Sequence, residues 1–186
     1  MMKTIEIKAK PEEKAAVSRS VVRQMYDLLG GNMTEIVEGA SRDWRSDSEF
    51  RKWRKGVFLG AVQVHTSHLL LLDDNGVRGF LSYTAPPDTA EIYLNEVQIR
   101  RSCQGDGVTL LCLVRSFADR IAQMPHDTLR TYSNKANTRV HNLVEKSGFE
   151  RVGKTDRGYQ YLMPTRAFLM KFGRRRQQNR RVQATR

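Results

Sequence analysis

The chain has 186 residues, 39% of them apolar, and 32 Lys and Arg against 20 Asp and Glu, for a formal net charge of +12. That length suits one domain with enough apolar residues to build a core, and the longest apolar run, Leu69–Leu72, is far short of the ~20 residues that span a bilayer. Two cysteines, Cys103 and Cys112, without a Cys-x-x-Cys pattern point away from a disulfide scaffold and a structural zinc site. The N-terminus alternates charged and apolar residues and lacks a signal-peptide core, so a cytoplasmic setting is expected.

Ile5 and Ile7 alternate with charged neighbours and predict a short strand. Pro11 then opens a segment with Val17, Val21, Val22, Met25, Leu28 and Leu29 at helical spacing, which Gly30-Gly31 would stop. Thr34 with Glu38, and the basic stretch Arg42–Lys55, predict one or two helices ending near Gly56. Trp44 and Trp53 in that stretch fit anchors of a basic amphipathic helix better than stacking platforms for nucleobases. Val57–His65 and His68–Leu72 are strand-like, Asp73-Asp74-Asn75-Gly76 is a hairpin turn, and Val77–Thr84 is the return strand.

From Ala90 the pattern becomes more specific. Ile92 and Leu94 share one parity, Val97 and Ile99 the other, so one extra residue near Asn95-Glu96 would bring all four to one face as a β-bulge. The segment Gln104-Gly105-Asp106-Gly107-Val108-Thr109 then runs into a helix whose apolar face is Leu110, Leu111, Val114, Phe117, Ala118 and Ile121. Leu129–Ser133 is a short strand. Asn137 opens a second helix, closed at Gly148, and 149–153 with 159–163 form a last strand pair. The result is an α/β domain over residues 1–163. Residues 164–186 carry eight basic and no acidic residues, leaving +4 for the body. Phe168, Leu169, Met170 and Phe172 there suggest a short docked segment before a flexible basic tail.

A glycine-containing loop between a strand and a helix N-terminus presents free backbone N–H groups at the positive end of the helix dipole, an arrangement suited to a diphosphate. No Gly-Lys-Ser/Thr follows and Gly-x-Gly-x-x-Gly is not met, which excludes a Walker loop and disfavours a dinucleotide site. The motif Ile99-x4-Gln104-Gly105-x-Gly107-Val108 resembles the acetyl-CoA motif of the GCN5-related N-acetyltransferases (GNAT), Val-x4-Arg/Gln-x-x-Gly-x-Gly/Ala. Asn137-Thr138-Arg139-Val140-His141-Asn142-Leu143-Val144, ending in Gly148-Phe149, is similar to that family's second helix, Asn-x-x-Ala-x-x-x-Tyr-x-x-x-Gly-Phe.

The resemblance spans roughly 77–163, and 5–29 fits the family's first strand and helix. It implies a GNAT fold, a mixed, mostly antiparallel sheet with a bulged central strand and helices on both faces, and acetyl-CoA as co-substrate with no metal. It further implies that Val97, Gln98 and Ile99 meet the pantetheine arm, that Gln104, Gly105, Asp106, Gly107, Val108 and Thr109 cradle the pyrophosphate, and that Asn137 hydrogen-bonds the arm. Arg100, Arg101 and Arg139 would lie near the 3′-phosphate or on a solvated face. Three residues depart from the pattern. Thr109 replaces a small residue, Asp106 puts an acid beside a diphosphate, and Val144 replaces the family's frequent Tyr.

Acyl transfer to an amine needs a base near the thioester and a proton donor for the thiolate. Glu96, at the inferred bulge, is either that base or a solvated carboxylate; Glu91 and Tyr93 are weaker alternatives. Tyr132 is either the proton donor or a sheet aromatic, with Ser133 beside it. His65 and His68 fit surface positions, His141 points to solvent or a neighbouring loop, and Cys103 fits an inert thiol. Two functions follow: an acetyl-CoA-dependent N-acetyltransferase acting on an unidentified amine, or a non-catalytic protein of the same fold that contacts nucleic acid or a particle through 164–186. The second is supported by a short likeness of residues 127–143 to acetyltransferase-like proteins of short-tailed phages, which would place the protein in host cytoplasm or virion.

Overall fold

A computed structural model describes residues 2–33, 43–60 and 65–173. The leucine run lies in β2 (Thr66–Asp73), where Leu69, Leu70 and Leu71 are all buried. Successive side chains of a strand point to opposite faces, so this run supplies both: Leu69 and Leu71 join one core and Leu70 the other. Asp73-Asp74-Asn75-Gly76 makes the expected tight turn, with Gly76 at φ +96, into β3 (Gly76–Thr84). β4 (Glu91–Ile99), β5 (Thr128–Asn134), β6 (Glu150–Lys154) and β7 (Gly158–Pro164) follow, and β1 (Lys3–Ile7) forms one edge. The sheet order is β1-β2-β3-β4-β5-β7-β6. Among the described strands only β4 and β5 pair in parallel.

One face is covered by α4 (Val108–Ile121) and α6 (Thr165–Phe172), with Leu113, Phe117 and Ile121 packed on Leu81, Ile92 and Leu129. The buried side of α4 is Thr109, Leu113, Phe117, Ala118 and Ile121, whereas Leu111 is exposed. Its face is therefore turned from the one read off Leu110 and Leu111. α6 contains the docked segment seen in the sequence, with Phe168 buried between Phe117 and Phe149. The basic stretch from residue 174 lies outside the described residues.

The other face is covered by α2 (Arg19–Met33) and α3 (Asp47–Trp53), with Val22, Met25, Tyr26, Phe50 and Trp53 packed on Ile7, Leu70 and Phe80. Trp53 is an anchor, as expected. The first helical segment is two helices, because Val17 turns extended after α1 (Pro11–Ala16). α2 runs through Gly30-Gly31 to Met33. A Cβ at Gly30 would lie 2.8 Å from Cβ of Trp44, so Gly30 is there for close packing and not as a stop. α3 has Ser46 as N-cap, accepting from the Ser48 N–H at 3.2 Å, and passes into a π-turn, Arg54–Phe58. Val57 and Phe58 are therefore helical and not the start of a strand. Residues 61–64, and the helix expected near Thr34–Glu38, lie outside the described residues. No helix among the described residues is long and apolar enough to cross a membrane.

Candidate active site

The bulge is real and sits at Asn95. β3 pairs Ser82 with Glu96 and Tyr83 with Leu94, so Asn95 has no opposite number. β4 and β5 stay paired only from Glu91–Thr128 to Leu94–Thr131, the last step fixed by the Thr131 hydroxyl donating to Leu94 O at 2.9 Å. Beyond it the two strands part: β4 continues along β3, while β5 continues along β7 from Tyr132 to Asn134. The parting opens a cleft with β4 main chain on one wall.

At the far end of β4 the chain makes a 3-10 turn, Arg101–Cys103, and enters α4 through Gly105 (φ +103) and Gly107 (φ +70). Both angles are in the left-handed region that costs an L-residue roughly 1–2 kcal/mol. Space is open at both, with no atom within 4 Å of where a Cβ would stand. Among the described residues the N–H groups of Gly105, Gly107, Thr109 and Leu110 have no acceptor, as expected for a first helical turn. The helix is pressed close to the sheet because residue 79 is glycine: a Cβ there would come within 2.8 Å of Gln98 O and 3.1 Å of Thr109 Cγ2.

Two loop residues behave differently from expectation. The Asp106 carboxylate accepts from the Val108 N–H at 2.9 Å and from Arg78 Nη2 at 2.9 Å. An internal anion thus occupies part of the helix N-terminus, neutralised by Arg78. Thr109 is fully buried and its hydroxyl accepts from Arg78 Nε at 2.6 Å, so only its N–H faces the loop. The remaining groups fit a diphosphate: two glycines, open space and free N–H donors.

Glu96 and Gln98 project to the α2 face, where a chain of side chains connects them to the loop. Gln98 Nε2 donates to Glu96 at 3.5 Å and Gln98 Oε1 accepts from Asn32 Nδ2 at 2.8 Å. Asn32 Oδ1 accepts from Gln104 Nε2 at 3.2 Å, and Gln104 Oε1 accepts from Arg139 at 3.4 Å. The Ile99 carbonyl is already held by Asn32 at 3.3 Å and Gln104 at 3.0 Å, so of the three expected pantetheine contacts its oxygen is engaged internally.

Burial pushes the Glu96 carboxyl above the usual carboxylate range, with hydrogen bonds from Gln98 and Ser82 drawing it partly back. Ser82, donating to Glu96, lies 2.8 Å from Nδ1 of His68. The Ser82 hydroxyl and Nδ1 share a hydrogen bond, while Nε2 of His68 is buried without a hydrogen-bond partner among the described residues. Burial, with Lys14 second, lowers the His68 pKa to about 3. His68 is thus a core residue beneath Glu96, stacked on Phe58 at 5.2 Å, and not the surface histidine expected. Its place beside the leucine run was the one available signal.

The other expected residues are placed as follows. Tyr132 is the first β5 residue past the last β4 pair; it is 46% exposed, with its hydroxyl 3.4 Å from Thr155 Oγ1. Asn137 caps α5 (Thr138–Lys146), accepting from the Val140 N–H at 3.2 Å, so a ligand contact would fall to its amide nitrogen. Val144 packs against the apolar core. His141 is buried and bonded to Asn134 O at 2.8 Å, the neighbouring-loop alternative. Arg100 is held by Asp73 at 3.2 Å and by Val77 O at 2.8 Å, which makes it a brace for the β2–β3 turn. Cys103 is buried. No cluster of three or more potential metal ligands occurs among the described residues.

No protein-family model matches the sequence, and no curated protein is similar to it. Solved structures are similar in fold. The PaiA N-acetyltransferase of Thermoplasma acidophilum, in complex with coenzyme A, aligns with a TM-score of 0.64 at 11% identity over 87% of this chain and 99% of that one. A GNAT-family acetyltransferase of Staphylococcus aureus aligns at 0.62 and 11% identity, covering 89% and 99%. The spermidine N-acetyltransferase SpeG of Vibrio cholerae, as a point mutant, aligns at 0.61 and 12%, covering 90% and 96%. The sheet order, the bulge at Asn95, the parted β4 and β5 and the glycine loop before α4 give this chain the fold of the GCN5-related N-acetyltransferases.

Proposed function

We propose that the protein is an acetyl-CoA-dependent N-acetyltransferase that acts by direct attack of an amine on the thioester. The observation that carries this reading is the cleft between β4 and β5, opening where Asn95 breaks the register and leading to unpaired N–H groups at the start of α4. Acetyl-CoA would supply the acyl group. Main chain of Val97 and Gln98 would hold the pantetheine arm, with the Asn137 amide opposite. Gly105, Gly107 and Thr109 would bind the diphosphate through N–H groups, joined by Val108 once Asp106 releases its N–H and keeps only Arg78. The Gln104 N–H is already given to Arg101 O at 3.0 Å, so Gln104 would act through its place in the loop.

In the transfer a C–N bond forms and the C–S bond breaks. Glu96, a carboxyl of raised proton affinity, takes the proton from the attacking amine in its ionised form, directly or through water. Tyr132 stands on the opposite wall and returns a proton to the thiolate, the role that Val144 cannot fill. Exposed Tyr93 and Tyr132, with the Glu91–Arg130 ion pair at 2.7 Å between their strands, form the side from which an acceptor amine would approach. The test is thiol release from acetyl-CoA in the presence of a panel of amines, with the acetylated product identified by mass. Acceptor-dependent release supports the reading; none with any amine, despite acetyl-CoA binding, removes it.

One observation favours a second reading. Asp106 already caps the helix end that the diphosphate needs, as would suit a non-catalytic protein that keeps the fold and uses its basic residues 164–186 to contact nucleic acid. Failure to bind acetyl-CoA, with salt-sensitive nucleic-acid binding lost on truncation after Gly173, would select it.

A further inference from the structure

At the end of α2 remote from the cleft, Arg19, Phe50, Arg51 and Arg54 line a hollow of about 280 Å3. That is many times the ~10–15 Å3 that a single water requires. Arg19 opens α2, Arg51 is in the last turn of α3, and Arg54 stands where α3 passes into the π-turn. Phe50 is buried beneath them, with the Arg19 guanidinium 5.9 Å from its ring centre.

None of the three arginines has an acidic partner among the described residues. Acids are close by but occupied: Asp47 and Asp27 hold Arg23 at 2.6 and 2.8 Å, and Glu49 holds Lys52 at 2.6 Å. Nε of Arg54 is buried with no acceptor among the described residues. Arginine does not lose its charge at accessible pH, so the hollow gathers three permanent positive charges and one unsatisfied donor. The unsatisfied donor is costly unless an acceptor reaches it, and three like charges around one hollow favour an anion there. A carboxylate offers two oxygens to one planar fork, whereas a phosphoryl group offers three and can bridge several forks.

We propose that this hollow binds a phosphoryl group of a ligand other than the acyl donor. Asn32, which touches the loop side of the cleft, lies thirteen residues along α2 from Arg19, about 20 Å at 1.5 Å per residue, so the hollow is separate from the glycine loop. The proposal does not depend on acetyl transfer. Free phosphorylated molecules and polynucleotide backbones share this chemistry.

The test is titration of the full chain with inorganic phosphate against chloride of equal ionic strength, followed by the Arg54 Nε–H resonance. Arg54 should shift saturably, and the double variant Arg19→Gln/Arg51→Gln, both exposed positions, should weaken that binding by about tenfold or more. Lys52→Gln, the exposed neighbour, should leave it unchanged. A single-stranded oligonucleotide that displaces phosphate, and loses affinity in the double variant, assigns the group to a polynucleotide backbone; one that does not displace phosphate assigns it to a free phosphorylated molecule. No phosphate-specific shift at Arg54, or an equal affinity in the double variant, overturns the proposal. Because Arg54 is read directly, failure here is distinct from failure of the glycine loop to bind acetyl-CoA.

Discussion

The two faces of the sheet are built on opposite principles. Under α4 and α6 the core is built on Leu69, Leu81, Ile92, Leu129 and Phe117, with buried polar residues such as Thr109, Ser133 and Thr165 set among them. Under α2 the outer strands are equally apolar, but beside β4 the layer becomes a string of polar groups: His68, Ser82, Glu96, Gln98, Asn32 and Gln104. Buried polar groups cost free energy unless partnered, and an apolar layer would be the more stable choice. The first face holds the glycine loop against β3 and β4. The second places a carboxylate of raised proton affinity where the strands part. Grip and chemistry are thus separated across the sheet, and substitutions on the two faces should fail in different ways.

The largest effects should set the faces apart most cleanly. Phe117→Ala, on the apolar face, is expected to cost about 3–5 kcal/mol of stability in urea unfolding while leaving any surviving folded protein active. Glu96→Gln, on the polar face, is expected to do the reverse: stability unchanged or higher, and the acetyl-transfer rate reduced by about 10²–10⁴-fold. Equal loss of stability in both variants would break the comparison.

A pH measurement sharpens it further. His68 is neutral in the fold with a pKa of about 3, against an ordinary value of 6.5. Between those values the unfolded chain binds the extra proton, so this contribution is complete above about pH 6.5 and is lost as the pH falls. Stability should drop by about 3 kcal/mol from pH 6.5 to pH 4 from this residue, at ~1.4 kcal/mol per unit. His68→Gln, which keeps a polar partner for Ser82, should flatten that slope; an unchanged slope would place the acid sensitivity elsewhere. The smallest effect concerns the loop. Asp106→Asn should tighten acetyl-CoA binding by a few-fold, on the order of 1 kcal/mol, by removing an anion from the helix N-terminus; weaker binding would mean that Asp106 organises the loop for its ligand.

What was legible in the sequence was local. The Asp-Asp-Asn-Gly turn, the parity change at Asn95, the Asn137 cap and the glycines before α4 each act within a few residues, and each is found where it was read. What was not legible depends on partners far along the chain. Gly30 looks like a helix stop until Trp44 is seen packed against it. Val57-Phe58 has strand-like composition but completes a π-turn whose Phe58 packs under Trp53 and His68. His68 stands beside the leucine run, a hint of burial, but only the pairing of β2, β3 and β4 sets it under Ser82 and Glu96. The ion pair of Arg100 with Asp73 is likewise made only by the fold. The same limit applies to the arginine hollow, whose three charges come from two helices and a turn.

The most direct test of the account is a calorimetric titration with acetyl-CoA of the natural chain and of Gly107→Val, each also followed by thermal unfolding. The natural chain should bind one equivalent and gain about 2.7 kcal/mol of stability at a hundredfold excess over Kd. The variant should stay folded, at a cost of roughly 1–2 kcal/mol for a side chain at φ +70, and lose the binding heat. No heat and no stabilisation in the natural chain, or undiminished binding in the variant, would contradict a cleft that holds acetyl-CoA through the main chain at the start of α4.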